Sequence, residues 1–144
     1  MKVIVLIKAT HDSEAGILPD AKTLADIATF TQELIDAGVM LGGEGLRPSS
    51  EGKRLYISGG KQTLIDGPFT ETKELVGGYW LWQVKSLDDA VRWTQRCADF
   101  MPGGDWVLEI RRLFEADDFG AEYPSELRAQ DERQRTEVAR RNGK

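Results

Sequence analysis

The order strand, helix, strand occurs twice in this chain, and that repetition limits its fold more than any single residue does. Val3–Ile7 is a run of β-branched and aliphatic side chains, too short for a helix and apolar on both faces, as a central strand requires. Leu24, Ile27, Ala28, Thr31, Leu34 and Ile35 then recur at steps of three and four, with Asp20 placed to cap the helix and Gly38 to end it. Val39–Leu41 opens the next strand, and Gly42-Gly43-Glu44-Gly45 predicts a bulge or a close backbone approach within it. The second round starts at Tyr79–Val84, where Trp80, Trp82 and Val84 share one face and Tyr79, Leu81 and Gln83 the other. Ser86 and Asp89 begin a second helix with Leu87, Ala90, Val91, Thr94 and Ala98 as its apolar stripe, and Trp106–Leu113 alternates as a last strand.

Between the rounds, Leu55–Ser58 and Lys61–Ile65 flank Gly59-Gly60, the two positive-φ residues of a tight hairpin turn. The expected class is α+β: a ferredoxin-like βαβ repeat with an added hairpin, both helices on one side of the sheet. The other side, expected to carry several Trp and Tyr side chains, is too apolar for a lone chain. Two copies are therefore expected to form a homodimer through this sheet face. Residues 1–120 read as one domain and residues 121–144 as a charged helical extension. The charge splits accordingly: residues 1–124 hold 13 basic and 20 acidic side chains, net −7, and residues 125–144 hold six and four, net +2. Asp131 with Arg135 and Glu137 with Arg141 stand at helical i, i+4 spacing, the mark of a solvated helix.

Composition removes several functions. A net charge of −5 disfavours direct nucleic-acid binding, no apolar run is long enough to enter a membrane, and Lys8 interrupts the first apolar run too early for a signal peptide; a cytoplasmic location is expected. One cysteine, Cys97, makes no internal disulfide, and one histidine, His11, anchors no ordinary zinc site. No Walker or dinucleotide fingerprint is present, so neither metal nor organic cofactor is expected.

The densest chemistry lies in Asp66-Gly67-Pro68-Phe69-Thr70-Glu71-Thr72-Lys73-Glu74. Pro68 fixes its own φ and pushes Gly67 toward an extended shape, which sets Asp66 at a strand end beside a rigid corner. A carboxylate and an ammonium near an apolar wall can serve as an acid/base pair; the plainer reading is an Asp satisfying a turn. Asp66 is the candidate base and His11, as an imidazole able to give and take a proton, the candidate partner. Lys8, Glu44, Pro68, Phe69, Lys73 and Trp82 are candidate residues of a pocket expected between the sheet and the helices. Core or interface packing is the plainer role for Trp82, and solvent exposure for Lys8.

The Asp-Gly-Pro-Phe run, followed by Thr70-Glu71-Thr72-Lys73-Glu74 and Gly77-Gly78-Tyr79-Trp80, resembles the signature of the YCII-related, or DGPF-domain, family. Ala37–Leu41 before Gly43–Leu46, Leu87–Ala90, Pro102–Gly104 and Phe114–Gly120 extend the resemblance over residues 1–120. It implies a dimeric α+β barrel and a small-molecule-binding protein, in some relatives a cofactor-free enzyme in which a helix-borne His and an Asp transfer protons. Here Ile27 stands where the resemblance would place that histidine, which leaves His11 as the only imidazole. The resemblance also implies a rival reading, a regulatory module associated with a sigma factor of the extracytoplasmic-function type.

Overall fold

A computed structural model describes residues 1–143. Two compact units are present, one spanning Met1–Leu113 and a second from Phe114 onward. In the first, strand β1 (Lys2–Lys8) leads through a single-turn helix α1 (His11–Glu14) to helix α2 (Ala21–Asp36) and strand β2 (Met40–Gly45). The hairpin β3 (Lys53–Ser58) and β4 (Lys61–Asp66) follows, then β5 (Val76–Gln83), α3 (Leu87–Gln95) and β6 (Leu108–Arg112). The second unit contains α4 (Ser125–Asn142), and among the described residues no helix is long and apolar enough to cross a membrane.

The caps follow local chemistry. Asp20 accepts from the Thr23 amide, and Gly38 leaves α2 at φ 72°, where a Cβ would be strained. Ser86 likewise accepts from the Asp89 amide at the start of α3. Thr10 and Ser13 exchange side-chain and backbone hydrogen bonds in a capping box, which folds the segment after β1 into α1; His11 therefore lies in a helical turn and not in a loop.

The main sheet has the order β2-β5-β1-β6, all neighbours antiparallel, so each β-α-β unit straddles a strand of the other. A register shift between Met40 and Gly42 marks the irregularity expected of the glycine-rich strand. The dimeric α+β barrel expected above is corrected by this topology. The four-stranded sheet is open, with β2 and β6 as its edges, and β3 and β4 form a separate two-stranded sheet, so the class is α+β with two small sheets, neither closing on itself.

The core lies between α2, α3 and one face of the main sheet. Val3 and Val5 of β1 pair with Trp82 and Trp80 of β5, and all four pack with Phe30, Leu34, Ala90 and Cys97. Phe30 meets Trp80 edge-on at 5.9 Å, while Trp80 and Trp82 stack at 5.5 Å between centroids and 19° between planes. Two expectations change here. The buried stripe of α2 centres on Phe30 and Leu34, while Leu24 and Ile35 are each 52% exposed; that of α3 centres on Ala90 and is continued by Cys97, with Leu87 and Val91 exposed. The indoles lie beneath the helices, so the opposite sheet face carries Ile4, Leu6, Tyr79 and Leu81, ringed by Lys2, Lys8, Glu44, Glu109 and Arg111.

Candidate functional site

The loops at one end of the main sheet converge on Ser49. Its Oγ donates to Glu14 Oε2 at 2.5 Å, its amide donates to Glu14 Oε1 at 3.0 Å, and the same Oγ accepts from the Phe69 amide at 3.0 Å. One partly buried serine thus ties α1 to the Asp66–Phe69 corner across 35 and 20 residues of sequence. Hydrogen bonds to a carboxylate are the stronger class, so the Glu14 half of this latch is its firmer half.

The corner is built for close approach. A Cβ on Gly67 would stand 1.7 Å from the Ser49 carbonyl oxygen, and the Gly67 amide donates to the Gly52 carbonyl at 3.0 Å. The Gly67–Pro68 peptide is cis, and the Phe69 ring carries the Arg54 guanidinium 4.0 Å above its centroid. Glycine at position 67 therefore reflects backbone crowding, and Phe69 serves as a platform for the base of the hairpin.

The other candidate residues are distributed around this end. Asp66 pairs with Lys53 Nζ at 2.5 Å, its side chain 74% exposed. His11 is exposed on α1, three positions before Glu14, and Lys73 is exposed in a 3₁₀ turn, Thr72–Glu74. The backbone gathers their segments, since the Ala9 amide donates to Leu75 O and the Leu46 amide to Gly77 O, both at 2.9 Å. No hydrogen bond or ion pair among the described residues joins Asp66, His11 and Lys73 to one another. Lys8 lies 3.7 Å from Glu109, and Glu44 is opposite Tyr79, so these two belong to the open sheet face. Pro68 is exposed at the corner. Trp82 is fully buried in the core, where its Nε1 has no hydrogen-bond partner. The space beneath the helices, where a pocket was expected, holds Phe30, Leu34, Trp80 and Trp82.

Glu14 and Ser49 were absent from the sequence-derived candidates. Thr10-x-x-Ser13 was the signal for the helix that carries Glu14, but nothing local connects Glu14 to Ser49. Among the described residues no group of His, Cys, Asp and Glu is arranged to hold a metal ion.

Comparison with known proteins adds three findings. An uncharacterized protein of Rhizobium meliloti (strain 1021), R00369, is 29% identical over 94 residues, covering 65% of this chain and 75% of that protein. A solved structure, 5-chloro-2-hydroxyhydroquinone dehydrochlorinase (TftG) from Burkholderia phenoliruptrix AC1100 in complex with 2,5-dihydroxybenzoquinone, aligns with a TM-score of 0.40 at 14% identity, covering 82% of this chain and 98% of that one. The family model for the YCII-related domain matches residues 1–116, the whole of the first unit included. With its strands, its helices and its Asp-Gly-Pro-Phe corner all inside that match, the chain belongs to the YCII-related domain family.

Proposed function

We propose that this protein binds a small organic molecule at the loop end of the main sheet and catalyses proton transfer or elimination on it without an organic cofactor. Asp66 is the base or orienting carboxylate and His11 the group that handles the second proton. The observation that carries this reading is the Ser49 latch, which fastens the helix bearing His11 and the corner after Asp66 to the same short segment. In such a reaction the carboxylate takes a proton from a C–H made acidic by a neighbouring carbonyl. The imidazolium then returns a proton to another atom of the same molecule or to a departing group, and no electron leaves the substrate.

Incubation in D2O with a panel of small enolisable keto and hydroxy acids, followed by proton NMR, tests the reading. The intact protein should wash deuterium into the acidic C–H position of at least one member of the panel. Asp66→Asn and His11→Ala variants, folded by circular dichroism, should each slow that exchange by about 10²-fold or more, the usual worth of a positioned acid or base. Exchange that survives both substitutions would remove these residues from the chemistry, and absence of exchange with the whole panel would remove the proposed reaction.

A further inference from the structure

Every strand residue of the β3–β4 hairpin is exposed, Leu55 at 52% and Ile57 at 67% among them. Two strands alone are marginal in water and gain stability from a third strand or a packed surface. The first unit supplies no third strand to this ribbon, which forms its own sheet. Yet the ribbon is firmly mounted at its base, where Lys53 pairs with Asp66, Arg54 lies over Phe69 and the Gly67 amide donates to the Gly52 carbonyl. That last bond fixes which backbone groups the ribbon leaves over. Gly52 stands opposite Gly67, one step beyond the Lys53–Asp66 pair, and bonded pairs alternate with non-bonded ones along an antiparallel ladder. Arg54, Tyr56 and Ser58 therefore bond to β4, whereas Lys53, Leu55 and Ile57 turn their N–H and C=O groups outward along the free edge of β3. Among the described residues nothing bonds these outward groups. Nor is the edge blunted against strand pairing, since residues 55–58 hold no proline, no charge and no register shift.

We infer that the outer edge of β3 is a strand-addition site for an extended acidic segment of another protein, which bonds to the backbone of Lys53, Leu55 and Ile57 and sets carboxylates beside Lys53 and Arg54. Charge selects that occupant. β3 carries two cations and no acid. Lys53 already meets Asp66, but Arg54 has no ion pair among the described residues; its guanidinium is held 4.0 Å over the Phe69 ring. An arginine stacked on a ring keeps its in-plane N–H donors for a carboxylate, and its fixed position lowers the entropy lost on binding one. The other edge of the ribbon ends in Asp66, where the same segment would meet a like charge. The ribbon of a second copy would bring its own Lys53, Arg54 and Lys61 and be repelled. Leu55 and Ile57 share one face with Leu64, so alternate apolar residues of the added strand extend that face from two strands to three.

The probe is the synthetic peptide acetyl-TVTVEE-amide, whose two carboxylates stand beside Arg54 and Lys53 when it lies antiparallel to β3; acetyl-TVTVKK-amide is its charge-reversed counterpart. Titrated into the isotope-labelled full chain and followed by NMR, the acidic peptide should shift the amide signals of Lys53, Leu55 and Ile57. At saturation it should slow their hydrogen exchange by at least about tenfold and leave Gln62 and Leu64 unchanged. The basic peptide should bind at least about tenfold more weakly, and Arg54→Gln, an exposed substitution, should remove most of that preference. Methylating the backbone nitrogen of either valine, which faces β3 in this register, should abolish binding, whereas methylating that of the threonine between them should not. Absence of any shift at millimolar peptide overturns the inference, as does equal binding of the two peptides, a preference that survives Arg54→Gln, protection confined to Gln62 and Leu64, or indifference to valine methylation. Protection of Lys53, Leu55 and Ile57 before any peptide is added also overturns it, because the edge is then already occupied by a second copy or by the chain itself.

Discussion

Replacing Gly67 by alanine should detach the hairpin from its mount. The new methyl would lie 1.7 Å from the Ser49 carbonyl oxygen and 2.7 Å from its carbonyl carbon, both backbone atoms that no rotamer change can move. Since unstrained C···O contacts lie at about 3.3–3.6 Å, the two segments must separate by roughly 1.6–1.9 Å. That displacement breaks the Gly67–Gly52 and Phe69–Ser49 hydrogen bonds and loosens the Ser49–Glu14 pair. Neutral hydrogen bonds contribute about 1 kcal/mol each and those to a charged group about 1.5–3, so the loss is about 3 kcal/mol once exposed groups regain water. For a unit of this size that corresponds to a fall in Tm of roughly 12 °C, at about 4 °C per kcal/mol. Calorimetry of Gly67→Ala beside Ser49→Ala measures it. Ser49→Ala deletes the hydroxyl's two bonds, one of them to a carboxylate, without any clash and should cost about 2–3 kcal/mol. A Gly67→Ala melting temperature within 3 °C of the parent would show that backbone crowding is not what position 67 resolves.

Other expected outcomes concern the core and the tail. Phe30→Ala should cost about 3–5 kcal/mol in urea unfolding, because Phe30 is 3% exposed and touches four aromatic rings, while Ile35→Ala at 52% exposure should cost under about 1 kcal/mol. Burial pushes the Cys97 thiol up to about 12 from an ordinary 9.0. Its contribution is complete below pH 9 and lost as the pH climbs toward 12, since only the unfolded chain can release the proton. Stability should therefore fall with rising pH by up to about 1.4 kcal/mol per unit, a slope that Cys97→Ala removes. Hydrogen bonds from Arg140 and Arg141 hold the Glu137 carboxyl below its usual range, so its help to α4 is present at neutral pH and lost on acidification. A peptide of residues 125–142 should lose helical dichroism between pH 7 and pH 3, and Glu137→Gln should flatten that change.

Sequence alone located the strands, the longer helices and the hairpin, though not α1, because each is signalled within a few residues: Asp20 and Ser86 as caps, Gly38 as a stop, Gly59-Gly60 as a turn. It caught Leu34 and Ala90 but missed Phe30 and included the exposed Leu24, Ile35, Leu87 and Val91, because apolar residues lie on both sides of the true seam. Leu24 and Ile35 fit the helical period as well as Phe30 does, and only the Trp80–Trp82 stack decides which side is covered. The site was legible as a corner and illegible as an assembly. Pro68 and Gly67 announce a bend, but the carbonyl that crowds Gly67 belongs to Ser49, and the carboxylate that holds Ser49 lies another 35 residues away. Barrel closure was what the family resemblance implied, yet closure depends on how the edge strands β2 and β6 end, which side-chain alternation does not encode.

The stacked indoles make the interior its own optical reporter. Trp80 and Trp82 are near-parallel at 5.5 Å, and Trp82 is fully buried, so this pair should absorb and emit as a coupled chromophore with a blue-shifted band. Ligand titration or thermal opening can each be followed in the unlabelled protein. A change in that band reports the packing of α2 on the sheet, whereas events confined to the hairpin should leave it dark.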